Sequence, residues 1–191
     1  MQYLGYLSGI CITLSFLPYL IYIFKGQTRP ERASWLLWSI LGGIAFFTQL
    51  SKGASYSLWL PGVQAIGDLL IFILSIKYGM GGFSKRDKWA LGIAGGSLIL
   101  WFITREATLT LLLAILIDAA GAYLTIVKSY KYPTTEPVIS WELTMLGGFF
   151  AIFAVNKFNW VLLAFPVYTF VANVFITMSI RLGRQKLIEK N

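Results

Sequence analysis

The 191-residue chain has no histidine and a single cysteine, Cys11. Without an imidazole there is no base for a Ser–His or Cys–His nucleophile and no haem held through histidine. One cysteine cannot close an internal disulfide, and with no histidine beside it there is no Cys/His zinc site. Charge is scarce too: 13% of residues are charged, against roughly a quarter in a soluble domain. Apolar residues fill the gap, at 57% of the chain with a mean hydropathy of +0.70. A small soluble domain keeps much of its surface wet and has nowhere to put such an excess. The composition therefore predicts an all-α integral membrane protein. The net charge of +8 would suggest nucleic acid in a soluble chain. Beside membrane spans it reports topology, so the expected partner is the lipid bilayer and not nucleic acid.

Apolar runs broken by charge or by Gly/Pro clusters number seven: Tyr3–Phe24, Ser34–Leu50, Trp59–Ile76, Trp89–Ile103, Ala107–Val127, Val138–Val155 and Trp160–Ile180. A span needs about 20 mostly apolar residues, so seven with short loops account for the chain. The first has no basic segment or small-residue cleavage site ahead of it, and is expected to be a retained helix. With seven spans, the connections at 25–33, 77–88 and 128–137 and the C-terminal tail share one side and hold thirteen Lys and Arg. The other side holds three, Lys52, Arg105 and Lys157. The positive-inside rule then predicts an outside N-terminus and a cytoplasmic C-terminus, in the plasma membrane.

Landmarks recur at nearly one spacing. Lys25 and Lys128 lie 103 residues apart, as do Pro30 and Pro133. Ser34-Trp35 and Ser140-Trp141 are 106 apart, Gly42-Gly43 and Gly147-Gly148 are 105 apart, and Ser75-Ile76 and Ser179-Ile180 are 104 apart. Five ordered matches predict a first three-helix repeat over 1–80, a linker with the fourth helix over 81–105, a second repeat over 106–183 and a tail over 184–191. An even number of crossings separates matched ends, so the repeats are parallel, related by an axis along the membrane normal.

The stretch from Ser15 to Lys25, SFLPYLIYIFK, followed by Ser34-Trp35, resembles the PQ-loop motif of the SWEET, semiSWEET and PQ-loop transporter group. That motif sets a proline–glutamine pair near the cytoplasmic end of a repeat's first helix, then a lysine, a polar loop and a serine. Ser15, Pro18, Lys25 and Ser34 match, and Tyr19 stands in the glutamine's place. In the second copy Gly121-Ala122 replaces the proline pair, while Lys128, Ser140 and Trp141 fit. Trp35 and Trp38, spaced Trp-x-x-Trp, also resemble the tryptophan-rich helices of Pnu-type nicotinamide riboside transporters, which share the three-one-three layout. The resemblance implies a SWEET-like fold and a transporter without cofactor.

Three acidic residues fall inside the runs: Asp68, Asp118 and Glu142. An ionised carboxylate at mid-bilayer costs at least about 2.5–3.5 kcal/mol, so such groups face the bundle interior. Asp68 and Asp118 are therefore proton carriers, ligands for a cationic solute, or neutral acids hydrogen-bonded between helices. Glu142 sits near a helix start, where an acid is favoured, and reads as structural. Gln64 lies one turn before Asp68 on the same face. The repeat offset places Asp68 one residue from alignment with Asn173, and Tyr168 lies five residues before Asn173. In the SWEET-like group the third and seventh helices each offer an asparagine to the substrate. By that resemblance Asn173 is one and Asp68 a charged stand-in for the other. Trp38 lies one turn inside its helix, where a ring can stack on a sugar or heterocycle. Pro18 removes a backbone hydrogen bond; in the SWEET-like group such positions act as gates, which makes Pro18 and its counterpart Gly121 hinge candidates.

The expected function is transport of a small polar solute (a sugar, amino acid or nucleoside-like molecule) by alternating access between two three-helix bundles, with Asp118 as the candidate for proton coupling. The substrate-site candidates are Asp68, Asn173, Gln64, Trp38 and Tyr168. The alternative is a non-transporting membrane assembly or receptor-like protein whose buried polar groups only satisfy one another. An enzyme is not expected, because no span pairs a nucleophile with a base, and no metal site is expected. A second copy of the chain remains an open partner.

Overall fold

A computed structural model describes residues 2–51, 59–82, 84–104, 107–154 and 160–189. Lys52, Arg105 and Lys157, the basic residues expected on one side of the membrane, lie outside them. The described residues form seven α-helices and a 3-10 turn: α1 (Gln2–Phe24), α2 (Arg32–Ser51), α3 (Trp59–Tyr78), α4 (Lys85–Thr104), α5 (Ala107–Lys131), the turn Pro133–Thr135, α6 (Val138–Ala154) and α7 (Trp160–Ile188). Each apolar run is one helix. By length and apolarity Tyr3–Phe24, Leu112–Lys131 and Leu163–Ile188 are able to cross a membrane, and Val138–Ala154 is apolar but shorter. These three mark a membrane protein.

The distribution of side chains agrees. On α1 the exposed face is an apolar stripe of Leu7, Ile10, Leu14, Leu17 and Ile21, whereas Ser8, Ser15 and Tyr19 are buried. A water-soluble helix does the reverse. Hydrocarbon as solvent accounts for it: apolar groups lose nothing by facing lipid, while polar groups must find partners inside.

Local chemistry sets the helix ends. Gly26 takes φ +69° after α1, and the amides of Gly26 and Gln27 return to the carbonyls of Ile23 and Tyr22 at 2.9 Å. Only glycine adopts that conformation at no steric cost. At α4, Ser84 and Asp87 form a capping box, Ser84 N donating to Asp87 Oδ2 at 2.8 Å and Asp87 N to Ser84 Oγ at 3.3 Å.

The chain forms two compact units. The terminal unit, named for its chain position, comprises residues 1–29 and 125–191, and the middle unit comprises 30–124. In the terminal unit α1 packs on α6 and α6 on α7. In the middle unit α2 packs on α3 and α4, and Ala33, Leu37 and Leu41 of α2 share a core with Ile117 and Leu124 of α5. By the sequence repeat α1 corresponds to α5, α2 to α6 and α3 to α7. Each unit thus joins the first helix of one repeat to the second and third helices of the other. The packed groups cut across the succession of three-helix repeats read from the sequence.

The repeat has a counterpart in packing detail. A Cβ added at Gly42 on α2 would lie 2.8 Å from Ala65 Cα on α3; one at Gly148 on α6 would lie 2.8 Å from Phe170 N on α7. Glycine is what lets these backbones touch. At the far ends, a Cβ on Gly79 would lie 2.8 Å from the carbonyl oxygen of Pro30, and one on Gly183 would lie 3.0 Å from Pro133 Cβ. The same close approach therefore recurs in both units.

Candidate functional site

The middle unit holds five of the sequence candidates. Asp68 and Gln64 are on α3, Trp38 on α2, and Asp118 and Gly121 on α5. Trp38 Nε1 donates to the Asp118 carbonyl oxygen at 3.3 Å. A Cβ on Gly121 would lie 2.8 Å from that indole nitrogen, so the bare glycine makes the room that the ring occupies. Ser34 Oγ donates to the Gly121 carbonyl oxygen at 2.7 Å, fixing α5 against α2 one turn above the ring. One turn further along α2, Gly42 meets Ala65, one turn before Asp68. Trp38 and Gly42 thus tie both carboxyl-bearing helices to one stretch of α2.

Asp68 is only 5% exposed. No Lys or Arg occurs in 33–51, 59–76, 89–104 or 107–124, the apolar stretches of this unit. Gln64, one turn from Asp68, is half-buried.

Asn173, Tyr168 and Pro18 belong to the terminal unit. Asn173 is 7% exposed and its Nδ2 donates to the Thr169 carbonyl oxygen of its own helix at 2.8 Å. Its Oδ1 and the Thr177 hydroxyl one turn on are buried without a hydrogen-bond partner among the described residues. Tyr168 stacks obliquely on Phe165 at 6.3 Å. Helix α1 continues through Pro18. The structure brings Asp68, Asp118 and Trp38 into one unit and Asn173 and Tyr168 into the other.

The close approaches set the repeat register at mid-helix. Gly42 faces Ala65, and Gly148, 106 residues on and not the Gly147 of the sequence match, faces Phe170, which puts α3 and α7 at an offset of 105. Asp68, Ile71 and Ser75 are buried on α3, and Asn173, Ile176 and Ile180 on α7, with the same offset throughout. Asp68 and Asn173 are in full register, not one residue apart. The spacing of 104 holds only at the ends, because α3 stops at Tyr78 ahead of Gly79 while α7 runs through Gly183 to Ile188.

Two buried glutamates escaped the sequence reading. In the terminal unit Glu136, 2% exposed, pairs with Lys128, which also donates to the Arg29 carbonyl oxygen. Tyr19 Oη donates to Glu136 Oε1 at 3.0 Å and Trp141 Nε1 to Oε2 at 2.8 Å. In the middle unit Glu31, 4% exposed, accepts from Ser34 N at 2.7 Å and Ser34 Oγ at 2.9 Å. Beside it Arg32 donates to the Ser75 carbonyl oxygen at 3.2 Å and the Gly81 carbonyl oxygen at 3.1 Å, covering the open end of α3. The available signal was an acid next to a proline just ahead of Ser-Trp in both halves, Pro30-Glu31 and Glu136-Pro137. These clusters lock loops to helix ends. Glu142 pairs with Arg181 of α7, as its place near a helix start would allow.

No protein-family model, curated protein or solved structure matches the chain.

Proposed function

We propose that this chain is a seven-span transporter that exposes a small polar solute alternately to the two sides of a membrane, with its N-terminus outside, its C-terminus in the cytoplasm, and the plasma membrane as its site. One observation carries the reading: Asp68 and Asn173, buried polar residues on apolar helices, occupy the same register position in the two repeats. Burying either group has a cost that packing alone does not repay, and a matched pair in a parallel repeat is how a solute site is built from a duplicated unit. Gln64 and Trp38 in the middle unit and Tyr168 in the terminal unit are the further substrate candidates, and Asp118 is the candidate for proton coupling. The SWEET-like resemblance of the first repeat's motif supports the same reading. The hydrogen bond from Asn173 to its own helix favours the second reading, a non-transporting membrane protein whose polar groups are structural.

The test is uptake from a metabolite extract into proteoliposomes, with the vesicle interior analysed by mass spectrometry. Transport predicts at least one polar metabolite enriched over protein-free vesicles, and loss of that enrichment in both Asp68→Asn and Asn173→Ala. A folded protein whose vesicles match the protein-free control overturns the proposal.

A further inference from the structure

Both units contain the same junction, where a first helix meets the opening turn of a second, but they close it differently. In the middle unit it joins α5 to α2, and the Ser34 hydroxyl donates to the Gly121 carbonyl oxygen at 2.7 Å. In the terminal unit it joins α1 to α6, with Ser140 in the place of Ser34 and Pro18 in the place of Gly121. Pro18 and Ser140 lie at one level, since their chain neighbours Tyr19 and Trp141 set their rings edge-to-face at 5.9 Å. Ser140 is 4% exposed, yet its hydroxyl has no hydrogen-bond partner among the described residues. A buried hydroxyl left unpaired carries a desolvation cost that Ser34 avoids.

The next residue accounts for the difference. The middle unit follows Gly121 with Ala122, and the terminal unit follows Pro18 with Tyr19. Tyr19 is 2% exposed and its hydroxyl donates to Glu136 Oε1 at 3.0 Å. The separation of two helices follows the size of the side chains at their contact, so a phenol ring against Trp141 holds α1 off α6 where an alanine would let it close. Glu136 also accepts from Trp141 Nε1 at 2.8 Å and pairs with Lys128. Departure of Tyr19 would therefore strand no buried charge, and it would trade one hydrogen bond for another. We propose that the terminal junction is a latch with a second form, in which Tyr19 has left Glu136, α1 lies closer to α6, and the Ser140 hydroxyl donates to the Pro18 carbonyl oxygen as Ser34 donates to that of Gly121. Tyr19 selects between the forms. The latch belongs to the terminal unit alone and stands whether or not the chain transports.

Lys25, just past α1, and Gln185, on α7, are exposed positions of this unit, and α7 packs on α6, so the distance between them follows the approach of α1 to α6. Spin labels on Lys25→Cys and Gln185→Cys in a Cys11→Ser background, read by double electron–electron resonance on the full chain in detergent without any solute, test the latch. Tyr19→Phe removes only the hydroxyl and should raise the ratio of a second distance to the original one by at least about tenfold. Tyr19→Ala, which installs the middle-unit residue, should make the second distance the main one. Adding Ser140→Ala to either variant should lower the ratio by at least about fivefold. A tyrosine that served packing alone would give a broader distribution indifferent to Ser140. With folding checked by size-exclusion chromatography, distances unmoved by Tyr19→Ala, or a second distance undiminished by Ser140→Ala, overturn the inference. Should Tyr19→Ala not fold, the absence of a second distance in Tyr19→Phe overturns it.

Discussion

The glycine pair in α2 offers a measurement in which one position serves as control for its neighbour. A methyl group added at Gly42 would sit 2.8 Å from Ala65 Cα and 3.0 Å from Ala65 Cβ, while one added at Gly43 meets nothing within 4 Å. Ala65 Cα is backbone, so relief requires moving α3 away from α2 as a body. Overpacking of this kind costs about 1–3 kcal/mol. The gain in helix propensity from Gly to Ala returns about 0.5–1 kcal/mol at either position. Gly42→Ala should therefore lose roughly 0–2.5 kcal/mol, centred near 1 kcal/mol, and Gly43→Ala should gain slightly. For a chain of this length each kcal/mol moves the midpoint by about 2–4 °C. Thermal unfolding of both variants in the same detergent, followed by circular dichroism, should place Gly43→Ala several degrees above Gly42→Ala, by about 4–8 °C. Equal midpoints, or the reverse order, would refute the close α2–α3 approach and with it the register that aligns Asp68 with Asn173.

Two further outcomes follow from the fold. Lys128→Met strands a buried Glu136 and should cost about 3–5 kcal/mol in the same assay; Glu136→Gln keeps an oxygen acceptor for Trp141 and leaves Lys128 its bond to the Arg29 carbonyl oxygen and should cost less, so equal losses would show that the pair is not what secures the loop. In a Cys11→Ser background, a cysteine placed at Arg184 should react with membrane-impermeant maleimide only after the cells are opened. Labelling of intact cells would reverse the proposed orientation and break the positive-inside assignment.

The helices were legible because each apolar run ends in a recognisable signal, such as the Gly26 turn or the Ser84–Asp87 box. The repeat was legible because its landmarks, glycines and prolines, are where backbones must touch or turn. Which helices pack together was not, since the pairing of α1 with α6 depends on contacts more than a hundred residues apart that leave no local pattern. Gly147 facing Ile12 at 2.6 Å from an added Cβ is such a contact. Asp68 and Asp118 stood out as acids in apolar runs. Glu31 and Glu136 did not, because they lie in loops, where an acid is ordinary; only the fold buries them.

The exchange of first helices also sets an order of assembly. The middle unit is one continuous stretch, 30–124, so every helix it needs has been synthesised before α6 begins. The terminal unit is discontinuous: α1 is made first, and its partners α6 and α7 come last. Throughout that interval the polar face of α1, with Ser8, Ser15 and Tyr19, must wait in the bilayer without the residues that will cover it. Long waiting of this kind exposes a chain to wrong partners. The nascent protein is therefore most vulnerable at its oldest segment, and a chain cut short before α6 would release a finished middle unit trailing an uncovered first helix.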